Sequence, residues 1–279
     1  MKANLEFYFK LLRIKDWRGY FLITTLGFVI SKGFLFPIRD IIIFYALSFL
    51  LLAFGFSIND CFDTKEDRLD KDKKNPIALK KISFRNGLIF SILLAVLGLA
   101  LSTVFGMKVF LFCLVSILIG FFYSSPPLRM KSRPWFDLIS HGLFAGALLF
   151  LIPVLIFSKE LTKFHYLIAL SIFYFSVILE LRNHIEDYEI DKEAGLNTTV
   201  VFLGREKSEK LLRYLAVFYP LTLFPIFLFY QQFFLLFSIL TVIFLFLFQK
   251  NDHKIKDYKI IDVYANLCFI LLSIVTIFE

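Results

Sequence analysis

Nine apolar stretches run along the chain, near residues 20–37, 41–58, 87–106, 107–123, 138–157, 165–181, 211–230, 233–248 and 260–278. Each approaches the ~20 residues that a helix needs to cross the hydrocarbon of a bilayer. The expected fold is therefore all-α, a multi-pass membrane protein of about nine transmembrane helices in a bundle. The third and fourth runs meet at Gly106-Met107-Lys108 and the eighth is short, so eight or ten spans stay open. With 58% apolar residues, 38 of them Phe, and a mean hydropathy of +0.74, the chain is more apolar than a water-soluble core of this size requires. The longest polar stretch, Asn59 to Asn86, has 28 residues, too few for a soluble domain of its own. Residues 1–279 thus read as one transmembrane domain. Cys61, Cys113 and Cys268 show neither disulfide nor zinc spacing and read as packing residues.

Charge sets the expected orientation. If the N-terminus is cytoplasmic, that face collects all of the 31 Lys and Arg except Lys32, Arg39, Lys108, Lys159 and Lys163. Positive residues are retained on the cytoplasmic side, so the net charge of +8 reports topology and not nucleic-acid binding. Residues 4–18, with Leu5, Phe9, Leu12 and Trp17 among basic side chains, predict a short interfacial helix. No small-x-small cleavage site follows the first apolar run, which reads as an uncleaved anchor. Polar loops at about 59–86, 124–137 and 182–210, and the segment from Gln249 to Lys259, then share the cytoplasmic face.

Two of those loops begin with the same pattern. Asn59-x3-Asp63-x3-Asp67 recurs 124 residues later as Asn183-x3-Asp187-x3-Asp191, each directly behind an apolar run. Residues four apart lie along one helical stripe, so each trio points one way. The first copy follows the second span and the second copy follows the sixth, so both emerge on one face. That predicts two parallel four-helix repeats with a ninth helix left over; an inverted repeat, common in transporters, would put the copies on opposite faces.

Clustered carboxylates beside hydrocarbon are costly unless they work. Mg²⁺ takes oxygen ligands, commonly one or two carboxylates completed by substrate phosphate. Two facing sites drawn from Asp60, Asp63, Asp67, Asp187 and Asp191 would clamp a diphosphate and neutralise the charge that grows as it departs. Asn59 and Asn183 would assist as orienting or binding groups. His184 matches Asp60 in the second copy and is a poor partner for a hard ion. Glu66, Asp70, Asp72 and Glu189, outside the stripes, read as solvated acids paired with Lys65, Arg68, Lys71 and Lys73. A secondary transporter or a non-catalytic membrane binding protein is the alternative, but a transporter would hold its ionisable groups near the midplane.

Asn59-Asp60-Cys61-Phe62-Asp63-Thr64-Lys65-Glu66-Asp67 resembles the NDxxDxxxD motif of the UbiA-type intramembrane prenyltransferases. Asp187 to Asp191, with Gly195, Thr198 and Gly204 behind, is similar to that family's second DxxxD motif, and Tyr123-Ser124-Ser125-Pro126-Pro127-Leu128-Arg129-Met130-Lys131 to its Tyr-Ser-x-Pro-Pro-x-Arg-x-Lys stretch. Two departures bear on the subfamily: Asn75-Pro76, preceded by Lys73 and Lys74, stands where Arg-Pro is frequent, and Arg13-Ile14 replaces an N-terminal Arg-Pro.

The resemblance implies an enzyme that transfers a prenyl group from an isoprenyl diphosphate to a hydrophobic or aromatic acceptor, with Mg²⁺ and release of pyrophosphate. It implies Asp63, Asp67, Asp187 and Asp191 as catalytic residues, with Asp60 joining them as metal ligands. Asn59, Asn183, Tyr123, Arg129, Lys131, Arg133 and Lys74 are then the substrate-binding set. Tyr123 either lies near the reacting carbon or marks the interfacial aromatic belt. Phe-rich spans, kinked at Pro153, Pro220 and Pro225, would house the prenyl tail. Lys131-x-Arg133-Pro134-x2-Asp137 leans toward members that prenylate carotenoids or other lipids.

Overall fold

The structure, a computed structural model, describes residues 5–70, 72–250 and 258–278, and every regular element in them is helical. Lys71 and most of the segment from Gln249 to Lys259 lie outside the described residues. In chain order the helices are α1 (Leu5–Leu11), α2 (Arg18–Ile30), α3 (Ile38–Phe62), α4 (Glu66–Leu69), α5 (Phe84–Phe105), α6 (Met107–Ser124), α7 (Phe136–Ser158), α8 (Lys163–Glu186), α9 (Tyr188–Ala194), α10 (Thr199–Leu203), α11 (Arg205–Phe227), α12 (Gln231–Lys250) and α13 (Lys259–Phe278).

Eight of these are long and apolar enough to cross a membrane. The ninth apolar helix, α2, has 13 residues and ends well before the expected residue 37. Lys32 turns left-handed at φ 51°, a 3₁₀ turn spans Gly33–Leu35, and Phe36 is extended ahead of Pro37. Proline disfavours the α conformation in the residue before it, so the run breaks into a helix and a turn. The expected N-terminal helix over 4–18 is likewise divided: α1 stops at Leu11 and Arg13 adopts φ 49°.

α7 sits at the centre, packed between α2, α6 and α8. Glycine lets its neighbours come close: a Cβ at Gly27 of α2 would lie 2.5 Å from the Phe150 carbonyl oxygen, and one at Gly146 of α7 would lie 2.9 Å from Ser176 Cβ of α8. Phe28, Phe44 and Phe157 interlock edge-on and stacked at 5.2–5.7 Å around this core. Apolar side chains on α5 and α12 remain exposed, as a lipid-facing surface requires. Both motif-bearing helices, α3 and α8, end on one face, where the short helices α4 and α9 touch.

Candidate active site

The two acid motifs are built alike. In the first, Asp63 N–H donates to the Asn59 carbonyl (3.0 Å) and Asp67 N–H to the Asp63 carbonyl (2.9 Å); in the second, Asp187 N–H donates to Asn183 and Asp191 N–H to Asp187, both at 2.9 Å. The helical spacing therefore continues past each span end and keeps each trio on one stripe. Lys65 Nζ in the first motif donates to the Ala194 carbonyl beside the second. Gly195, at φ 78°, ends α9 there in the left-handed conformation that glycine adopts without steric penalty.

Between the motifs lies a cavity of about 250 Å³. Asn59, Asp63, Asp67, Asn183, Asp187 and Asp191 line one end of it, with Lys131, Lys73, Glu66 and Asp70; Leu51, Leu52, Ile117, Phe144 and Leu149 line the other. The segment between α6 and α7, with the first turn of α7, laces the two halves together: Lys131 Nζ donates to Asp63, Ser132 Oγ accepts from Asn197 N–H (3.0 Å), and Asp137 accepts from Thr199 N–H (2.6 Å). Burial is the main force on the acids. It raises Asp67 and Asp187 above the ordinary carboxylate range, opposed by the Asn75 hydrogen bond and by Lys73 respectively. It pushes Asp191 up to about 6, with His184 opposing and Asp187 reinforcing.

The sequence profile of the UbiA prenyltransferase family matches residues 20–270. The chain is 28% identical to digeranylgeranylglyceryl phosphate synthase from Saccharolobus solfataricus, over 77% of this chain and 74% of that one, and 30% identical to the synthase of that name from Sulfolobus acidocaldarius, over 74% and 72%. Its fold superposes with a TM-score of 0.74 on a UbiA homolog from Archaeoglobus fulgidus bound to GPP and Mg²⁺, at 25% identity over 98% of this chain and 100% of that one. The chain belongs to the UbiA prenyltransferase family.

The donor set of this UbiA-family cavity fits Mg²⁺. Its acids present hard carboxylate oxygens, and two of these, Asp191 Oδ2 and Glu66 Oε2, are buried without a hydrogen-bond partner. Among the described residues no three His, Cys, Asp or Glu converge closely enough to hold a metal unaided. That is the arrangement for an ion that completes its shell with water and substrate phosphate.

Other expected residues stand elsewhere. Asp60 is not among the residues lining the cavity; its Oδ1 lies 3.3 Å from Arg13 Nη1. Adjacent helical residues are about 100° apart, so Asp60 cannot share the stripe of Asn59 and Asp63. Arg129 is outside the lining too and donates to Glu66. Arg133 is exposed and donates to the Pro127 carbonyl (3.1 Å), and Lys74 is exposed. None of Pro153, Pro220 and Pro225 lines the cavity. Tyr123, by contrast, does line the cavity, where it is 7% exposed and donates to Glu180.

Three groups lay outside the expected set. Glu66, read as a solvated acid, is 7% exposed and holds Arg129, with Lys131 Nζ at 3.8 Å. Asn75 donates through Nδ2 to Asp67 Oδ2 and to the Asp60 carbonyl, both at 2.7 Å, and its own Oδ1 accepts from Ile77 N–H at 2.8 Å. Asn75 thus orients an acid of the first motif from the position where Arg-Pro is frequent. Third, Glu180, His141 and His184 form a buried cluster with Tyr123. Glu180 was legible in sequence, since Glu180-x2-Asn183-x3-Asp187 extends the second stripe one turn into the span.

Proposed function

We propose that the chain prenylates a lipid-soluble acceptor that carries a free hydroxyl, taking the prenyl group from an isoprenyl diphosphate and releasing pyrophosphate. The observation that carries this reading is a single cavity with paired acid motifs at one end and an apolar wall at the other. Asp63, Asp67, Asp187 and Asp191 would hold Mg²⁺. When bound, the ion supplies the positive charge that stabilises the departing diphosphate. Lys131 reaches the same end of the cavity and can exchange its Asp63 contact for a phosphate oxygen, while Glu66 keeps Arg129 beside it. Heterolysis of the allylic carbon–oxygen bond leaves a delocalised cation. The Ile117, Phe144 and Leu149 side chains keep water from that cation and leave the acceptor as its nucleophile.

Relatives named for digeranylgeranylglyceryl phosphate direct the acceptor toward a prenylated glyceryl phosphate. The charge distribution supports placing the N-terminus and both acid motifs on the cytoplasmic face. The test is to assay the purified, lipid-reconstituted protein with radiolabelled geranyl and geranylgeranyl diphosphates against glyceryl phosphate ethers, phenolic acids and naphthoates, with and without Mg²⁺. Mg²⁺-dependent label in the glyceryl ether supports the reading. Transfer to phenolic acids alone overturns the acceptor, and label transfer undiminished by chelator overturns the metal-assisted clamp.

A further inference from the structure

The cavity stays polar one turn deeper than phosphate binding requires. Glu180 precedes Asp187 by seven residues on α8, about 10 Å along the helix axis, and lines the cavity between the acids and the apolar wall. Its Oε1 accepts from Tyr123 OH and lies 3.2 Å from His184 Nε2. Its Oε2 lies 3.4 Å from His141 Nε2, and Asn183 Nδ2 donates to it at 3.4 Å. A diphosphate at the acid end with its tail against Phe144 and Leu149 puts the first prenyl carbon at this level.

His141 is built into place. The Ser176 hydroxyl donates to the His141 carbonyl at 3.5 Å, which leaves its oxygen to accept from Nδ1 at 3.0 Å. In the neutral tautomer with its proton on Nδ1, which this contact accommodates, the Nε2 lone pair is the one left to the cavity, where Tyr20 OH stands at 3.4 Å. Directly after His141 the helix widens into a π-turn over Gly142–Ala147, a feature that recurs at functional sites. A Cβ at Gly142 would meet the Phe173 ring at 2.7 Å, so small residues here bring α7 close enough to α8 for His141 to face Glu180. Ionisable groups inside a span are functional by default, because an idle one is costly.

We propose that His141 is the proton acceptor for the attacking hydroxyl and that Glu180 is its positioning residue. The assignment rests on the prenyltransferase reading above. As the acceptor oxygen bonds to the first prenyl carbon, the bond from that carbon to the diphosphate oxygen breaks and its electron pair leaves with the diphosphate. The hydroxyl proton passes to His141 Nε2. The imidazolium so formed faces the Glu180 carboxylate, and no oxidant, reductant or further reactant is needed. The cluster thus selects an acceptor whose nucleophile carries a proton, an alcohol or phenol, over a carbon nucleophile such as an alkene.

The test compares His141→Gln, Glu180→Gln and Asp187→Asn with the unaltered protein in lipid nanodiscs, using geranylgeranyl diphosphate, Mg²⁺ and a geranylgeranylglyceryl phosphate acceptor. His141→Gln should lower kcat about 10²–10⁴-fold, the usual contribution of a positioned base, with the KM for diphosphate within about threefold of the unaltered value. Glu180→Gln should show the same split with a smaller loss, and it carries the test if His141→Gln does not fold. Asp187→Asn should instead destroy diphosphate binding. An unchanged kcat in His141→Gln, or a KM for diphosphate that rises along with the loss, overturns the proposal. Absence of Mg²⁺-dependent transfer in the unaltered protein overturns the function beneath it, a separate and recognisable outcome.

Discussion

Asp63 and Asp187 end their helices in the same backbone conformation, φ −93° and ψ 14° at one, φ −90° and ψ 8° at the other. Each thereby carries its stripe from a membrane span into a short polar helix, and the cavity receives equivalent acids from both halves of the chain.

If the two acids act as one unit, Asp63→Asn and Asp187→Asn should each abolish Mg²⁺-dependent transfer, and the double variant should cost little more than either alone. Initial rates across a Mg²⁺ titration measure this. Independent, multiplicative losses would mean two separate sites.

Glu66 holds Arg129 in a largely buried pair, the two side chains 9% and 30% exposed. Breaking a buried pair by removing one partner costs about 3–5 kcal/mol, and the solvent reaching Arg129 places this one near the lower figure. Glu66→Leu should therefore lower the unfolding midpoint in nanodiscs, and Glu66→Leu with Arg129→Met should recover most of the loss, since both charges then go together. A double variant no more stable than the single one would show that the pair is not what Glu66 contributes.

Asn75→Ala frees the Asp67 carboxylate and leaves the Asp60 carbonyl without its donor. Groups that orient metal ligands are commonly worth about 10–100-fold in metal affinity. The Mg²⁺ concentration for half-maximal transfer should rise by that factor with the maximal rate retained at saturating metal, which a Mg²⁺ titration at fixed diphosphate tests.

Burial lifts Asp191 to about 6, above the ~3.9 of an unfolded chain. The metal-free fold therefore binds a proton there that the unfolded chain has released, and this contribution to stability is full below ~4 and fades as pH rises through about 6. The midpoint of metal-free protein should fall between about pH 4 and 6, Asp191→Asn should flatten that slope, and Mg²⁺ should raise the midpoint at neutral pH. Thermal unfolding with and without chelator reads all three, and an unaltered slope in Asp191→Asn removes Asp191 as the source.

Topology is open to labelling. Lys192, on α9 beyond the end of α8, and Lys159, directly after α7, are both exposed and lie at opposite span ends. In intact cells an impermeant thiol reagent should modify Lys159→Cys and miss Lys192→Cys until the membrane is opened. The reverse pattern would invert the proposed orientation.

Sequence alone determined the solvent and the repeat. Apolar runs of bilayer length leave a chain few choices, and i, i+4 spacing fixes which acids share a stripe without knowledge of any neighbour. The same rule already separates Asp60 from Asn59, because one residue along a helix is about 100° around it. Tertiary structure decided everything that depends on two distant segments meeting. Asn75 reaches Asp67 because the chain after α4 folds back on it, and Glu66 is a buried anchor because the segment before α7 brings Arg129 and Lys131 over it. His141 faces Glu180 across 39 residues of chain because Gly142 and Gly146 let two helices approach. Those distances are set by side-chain volume at a packed interface, which no spacing along a single helix encodes.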